Sequence, residues 1–122
     1  MKKAIWIFLS AATLLATEVN VVIQKLQSEC EQNNTESCIN LGALYERGEE
    51  GVKQDYKKAN ELFSKSCDLG FGSGCYDLGI LYTNGQGVKQ DKSMAKEYFG
   101  KACDLGDQTG CGEYKKLNEL GF

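Results

Sequence analysis

Apolar residues recur along this chain in two helical patterns, and each pattern returns at a fixed distance. Leu41, Leu44 and Tyr45 lie three and four positions apart, and the same triplet comes back 37 residues later as Leu78, Leu81 and Tyr82. That spacing lines one face of a helix with 3.6 residues per turn. A second stripe, Ala59, Leu62, Phe63 and Ser66, is repeated 36 residues on by Ala95, Tyr98, Phe99 and Ala102. Polar and glycine positions mark the ends: Gly48 and Gly85 stop the first helix, Asp55 and Asp91 can cap the start of the second, and Gly70 and Gly106 close it. Each unit therefore predicts a helix-turn-helix. Its repetition predicts an all-α solenoid in which stacked units bury one another's apolar faces.

Half units flank the two full ones. Glu18–Cys30 aligns with the second helix, placing Leu26 at the position of Phe63, and Cys111–Leu120 aligns with the first helix. The expected organisation is a leader over 1–16, an N-terminal half-repeat over 17–37, repeats over 38–74 and 75–110, and a C-terminal capping helix over 111–122. Tyr45, Tyr82, Phe63 and Phe99 are core residues by spacing. Gly42 and Gly79 stand mid-helix, where glycine costs about 1 kcal/mol of propensity, which makes sense if another helix passes close over them. Ala59 and Ala95 are the expected facing partners. In the last half unit the matching residue is Lys115, as suits an outer face left in water.

Six cysteines follow the same repeat as Cys30/Cys38, Cys67/Cys75 and Cys103/Cys111, each pair separated by seven residues. The first of each pair falls in the last turn of a second helix, and its partner opens the next unit. Glycine-rich stretches such as Asp68-Leu-Gly-Phe-Gly-Ser-Gly74 are expected to be the turns that bring them together. Of the fifteen ways to pair six cysteines, local pairing within each couple repeats with the unit and is favoured. Three disulfides, Cys30–Cys38, Cys67–Cys75 and Cys103–Cys111, are expected. Zinc sites usually place cysteines two to four apart and often add histidine, which this chain lacks. No metal and no cofactor is expected, and without a C-x-x-C neither is thiol redox catalysis.

The start of the chain changes the picture of compartment. Lys2 and Lys3 precede an apolar run from Ala4 to Ala16, and the sequence turns polar at Thr17 and Glu18. This has the form of a secretory signal peptide cleaved after Ala16, an uncleaved N-terminal anchor being the alternative. Export suits the cysteines, because disulfides persist in oxidising compartments. A secreted or periplasmic protein is expected, with no membrane span after cleavage. Removing residues 1–16 leaves 12 basic and 17 acidic residues, a net charge of −5. Such an acidic chain repels phosphates, so nucleic acid is an unsuitable partner. Lysine clusters at Lys53–Lys58 and Lys89–Lys96 are expected to be solvated helix starts.

The segments Leu41-Gly-Ala-Leu-Tyr45 and Leu78-Gly-Ile-Leu-Tyr82, the two Gly-Val-Lys-Gln-Asp runs (51–55 and 87–91) and the Cys-Asp-Leu-Gly ends resemble Sel1-like repeats. With its paired cysteines the chain is similar to the Helicobacter cysteine-rich protein family, over nearly everything after residue 18. The resemblance implies a relative of the tetratricopeptide repeat, stacked into a right-handed superhelix. It also implies an exported protein that binds penicillins, with weak β-lactamase activity toward penicillin and cephalosporin derivatives.

Chemistry for that activity is sparse. Serine β-lactamases combine S-x-x-K with S-D-N and K-T-G. Only Ser93-Met-Ala-Lys96 is present, and Ser93 lies about 160° around its helix from Ala95, the centre of the apolar stripe. Ser93 and Lys96 remain weak catalytic candidates, and whether the chain is an enzyme stays open. The other reading is a binding module. Its first helices would line the inner face of the curve, presenting Asn40, Ala43, Arg47, Asp77, Ile80 and Asn84 to a peptide, a muropeptide, a β-lactam or a protein partner.

Overall fold

A computed structural model describes residues 11–49 and 51–122, with side chains from residue 17 onward. The expected leader, residues 1–16, therefore lies outside the described side chains, and residues 1–10 lie outside the description altogether. Six helices follow one another: α1 (Ala11–Glu31), α2 (Thr35–Arg47), α3 (Tyr56–Asp68), α4 (Gly72–Asn84), α5 (Lys92–Asp104) and α6 (Gln108–Glu119). There is no strand among the described residues. Each helix packs against its neighbours in the chain, and α4 also touches α6, the arrangement of a stacked helical solenoid.

Local chemistry sets the helix ends. The carboxylates of Asp55, Asp91 and Asp107 accept from the backbone N–H groups of Lys58, Met94 and Gly110 at 3.1, 2.9 and 2.9 Å, and the Asn34 amide oxygen accepts from Ser37 at 3.1 Å. Each contact satisfies one of the donors a helix start leaves unpaired. Gly48 and Gly85 terminate α2 and α4 at φ 65° and 66°, a left-handed conformation that a side chain would strain. The following Gly-Val-Lys-Gln-Asp run then folds back. Gln54 donates its side-chain amide to Glu46 O at 2.8 Å, and Gln90 repeats the bond to Thr83 O at 2.9 Å, so orphaned carbonyls at the ends of α2 and α4 find partners.

The core sits between successive helices. Ala59, Phe63, Leu78 and Leu81 form one buried cluster, and Ala95, Phe99 and Leu117 another. Gly42 and Gly79 are indeed crossing points, but the group that crosses is an aromatic ring. A Cβ on Gly42 would stand 2.6 Å from Phe63 Cε1, and one on Gly79 would stand 2.6 Å from Phe99 Cε1. Ala59 and Ala95, expected opposite these glycines, are instead buried in the clusters that join one unit to the next. In each hairpin the ring fills the gap over the glycine, and it shares its buried cluster with the alanine one turn earlier.

All three expected disulfides are formed, with Cα–Cα distances of 4.7, 4.6 and 4.5 Å. Cys30, Cys67 and Cys103 occupy the last turns of α1, α3 and α5, while Cys38, Cys75 and Cys111 lie three residues inside α2, α4 and α6. The glycine-rich stretch before Cys75 is a turn only through Phe71; Gly72, Ser73 and Gly74 are the first turn of α4. Gly74 serves packing there, because its Cβ would meet Ser66 Oγ at 2.7 Å, and Gly110 is held the same way against Ala102 Cβ at 2.7 Å. At the second and third bridges this close approach helps the two cysteines meet, while at the first a buried Ser37 takes the glycine's place.

Candidate functional site

The first helices of the two full units, α2 and α4, carry the residues expected to meet a ligand. Asn40, Arg47 and Asn84 are exposed, and Ala43 and Asp77 are half-buried. Ile80 gives part of its side chain to the cluster of Ala95, Phe99 and Leu117. Asn84 donates to Gln86 Oε1 at 3.4 Å across the end of α4.

Asp77 is the electrostatic centre of this face. Burial, with the nearby carboxylates of Glu46 and Asp107 adding to it, pushes its carboxyl up to about 6 against the opposing pull of Arg47. Burial likewise raises Glu46, again opposed by Arg47. Tyr76 is raised by burial and then by Glu113, Asp77 and Asp107. Charged groups from the end of α2, the middle of α4 and the start of α6 therefore converge on one side of the molecule. Glu46, Tyr76, Asp107 and Glu113 were not legible as members of this face. Asp107 is visible in the sequence as a helix cap, but its proximity to Asp77 comes from α6 packing beside α4.

Ser93 and Lys96 have different surroundings. Ser93 is exposed in the first turn of α5. Lys96 donates its ammonium to the carbonyl of Phe122 and lies 5.4 Å from the centre of the Tyr114 ring. Among the described residues no cluster of His, Cys, Asp or Glu is arranged to hold a metal ion.

Two recesses open elsewhere, bordered by residues of α1, α2 and α3. One of about 290 Å3 is floored by Cys30, Leu41, Tyr45 and Leu62, and one of about 430 Å3 runs between Val19 and Ile23 of α1 and the loop at Val52. Tyr45 and Lys58 border both, with the Lys58 ammonium 5.0 Å from the Tyr45 ring centre.

Comparison with known proteins follows the same outline. The Sel1 repeat model matches residues 35–71 and 72–107. Cysteine-rich protein B of Helicobacter pylori superposes with a TM-score of 0.70 at 40% identity, over 74% of this chain and 67% of that one. Cytochrome c oxidase assembly factor 7 of Xenopus tropicalis is 39% identical over 67 residues, 52% of this chain and 29% of that protein. HcpC of Helicobacter pylori, whose name carries a provisional beta-lactamase label, is 47% identical over 34 residues, 28% of this chain and 12% of that protein. The chain thus spans less than a third of the length of either of these two relatives.

Proposed function

The chain belongs to the Sel1 repeat family, in its cysteine-rich form, and from that premise we propose that it is an exported binding module that holds a peptide or cell-wall fragment on the face of α2, α4 and α6. The observation that carries this reading is the half-buried Asp77, which feels Glu46 and Arg47 of α2 on one side and Asp107 at the start of α6 on the other. A face on which successive units bring charged groups within reach of one another suits an extended ligand that crosses several helices. Its acidic balance favours ligands carrying amino groups, as peptides and muropeptides do.

Export is supported by the cysteines, all six of which are paired. Such bridges are maintained in oxidising compartments. No helix among the described residues is long and apolar enough to cross a membrane.

Titration of the isotope-labelled protein with muropeptides and with extended basic peptides tests the reading. Saturable shifts should concentrate at Asn40, Arg47, Asp77 and Asn84, and Asp77→Asn should weaken binding. The absence of saturable binding to either class would end it. Hydrolysis of β-lactams has no comparable support, since Ser93 is exposed and Lys96 is engaged by Phe122 and Tyr114. Turnover of nitrocefin by protein freed of contaminating hydrolases, lost in Ser93→Ala, would overturn the preference for binding alone.

A further inference from the structure

The two junctions between second helices are built from equivalent residues, and comparing them shows what one of them lacks. At the junction of α3, α4 and α5, Tyr98 fills the space between the helices. Its ring packs on the clusters that contain Leu78, Leu81 and the Cys67–Cys75 pair, and it stacks on Tyr82 with ring centres 5.4 Å apart and planes 19° from parallel. At the junction of α1, α2 and α3 the floor is the same: Cys30, Leu41 and Tyr45 stand where Cys67, Leu78 and Tyr82 stand one unit later. Leu62, however, takes the place of Tyr98. The shorter side chain leaves the recess of about 290 Å3, with the floor residues lining it.

A second difference coincides with the first. Lys58 stands where the next unit has Met94, so the junction that has lost a ring has gained a cation beside the vacated place. The other charges at the mouth do not distinguish the two junctions. Lys65, Glu31 and Glu61 are matched one unit later by Lys101, Asp68 and Glu97, of which Lys101 and Asp68 pair at 3.8 Å.

We infer that this recess binds a small aromatic carboxylate, its ring stacked on Tyr45 in the position that Tyr98 takes on Tyr82, and its acid group paired with Lys58. The entering ring displaces the Lys58 ammonium from the face of Tyr45 and leaves it free for the carboxylate. The open recess, just below the usual volume range of small-molecule sites, suits one ring with a short acid side chain. Offset stacking on Tyr45 and contact with the disulfide and Leu41 supply the apolar part of recognition. This site shares no residue with the face around Asp77, so it does not depend on that face having a ligand.

The probe is 3-(4-hydroxyphenyl)propionate, titrated into the isotope-labelled protein and compared with its uncharged amide. Saturable shifts at Gln27, Tyr45 and Leu62 are expected, with the acid bound more tightly than the amide. Lys58→Met, a change at an exposed position, should weaken acid binding roughly twofold to fivefold and remove the preference over the amide. Leu62→Tyr rebuilds the second junction within the first and should abolish binding of both compounds while the protein stays folded by circular dichroism. The inference fails if millimolar acid gives no saturable shift, if acid and amide bind equally to the unaltered protein, or if Leu62→Tyr binds as well as the parent.

Discussion

Replacing Gly79 by alanine sets two effects of similar size against each other, and the structure decides which wins. Alanine in a helix interior is favoured over glycine by about 1 kcal/mol. At Gly79 the new Cβ would lie 2.6 Å from Phe99 Cε1, 2.8 Å from Cδ1 and 3.0 Å from Cζ. Phe99 cannot move aside easily, because it is 1% exposed, packed with Ala95 and Leu117, and bounded by Tyr76 with ring centres 5.5 Å apart. Overpacking a closed core costs about 1–3 kcal/mol, so Gly79→Ala should come out destabilised by about 1 kcal/mol. Gly112 supplies the control. It also lies inside a helix, α6, but nothing stands within 4 Å of its Cβ position, so Gly112→Ala should gain about 0.5–1 kcal/mol. The two variants should separate by about 2 kcal/mol in urea unfolding without reductant, with melting points moving in opposite directions by roughly 4–8 °C per kcal/mol. Adding Phe99→Leu should remove the penalty of Gly79→Ala in a double-mutant cycle. If Gly79→Ala is stabilised as much as Gly112→Ala, the ring does not hold the position assigned to it.

Four further outcomes follow from the same structure. Cys30, Cys38, Cys67 and Cys75 are buried whereas Cys103 and Cys111 are half-buried, so limited phosphine reduction followed by alkylation and peptide mapping should label Cys103 and Cys111 first; removing the second bridge by Cys67→Ser with Cys75→Ser should cost about 2–3 kcal/mol in chemical unfolding. Asp91→Ala deletes the acceptor for Met94 N–H and should cost about 1 kcal/mol, read by thermal melting. Asp77 has a folded-state carboxyl raised to about 6 from 3.8, so the native chain keeps that proton to higher pH than the unfolded chain does and stability falls as pH rises through this window. Asp77→Asn should therefore be the more stable protein at pH 8, by about 1 kcal/mol once solvent screening of a half-buried group is allowed for, and should match the parent at pH 3.5.

The helices were legible because their signals are local. A carboxylate three residues ahead of the N–H it accepts from, or a glycine that can turn left-handed, acts within one turn, and Asp55, Asp91, Gly48 and Gly85 all behave as their positions suggest. Glycine also misleads, because two physical demands call for the same residue. Gly72 and Gly74 look like turn residues, yet they belong to a helix, and Gly74 is small because Ser66 lies against it. The atoms nearest Gly42 and Gly79 belong to Phe63 and Phe99, residues the spacing marks as core without showing that they meet the glycines. A sequence shows that a small residue admits something close, whereas whether that something is an alanine or the edge of a ring depends on the rotation of the next helix.

Sites were harder to read than helices, since helical register gives the direction of a side chain on its own helix and says nothing of its neighbour. Asn40, Arg47 and Asn84 face water as register implies, but the raised carboxyl of Asp77 depends first on its burial and then on Glu46 and Asp107, all of which packing brings about. Internal repetition supplies a better guide. At Leu41 and Leu78, and at Phe63 and Phe99, the two units carry the same residue and both copies are buried, a demand that comes from the stack itself. Where they differ, the stack tolerates the difference and the local surroundings show its consequence. Lys115 replaces the glycine of the earlier units and is exposed, so no ring crosses α6 there. Leu62 and Lys58 replace Tyr98 and Met94, and there the consequence is an open recess beside a cation. A stack that already knows how to fill that space with its own tyrosine, and leaves it empty in one of two copies, has kept the floor of a binding site without its lid.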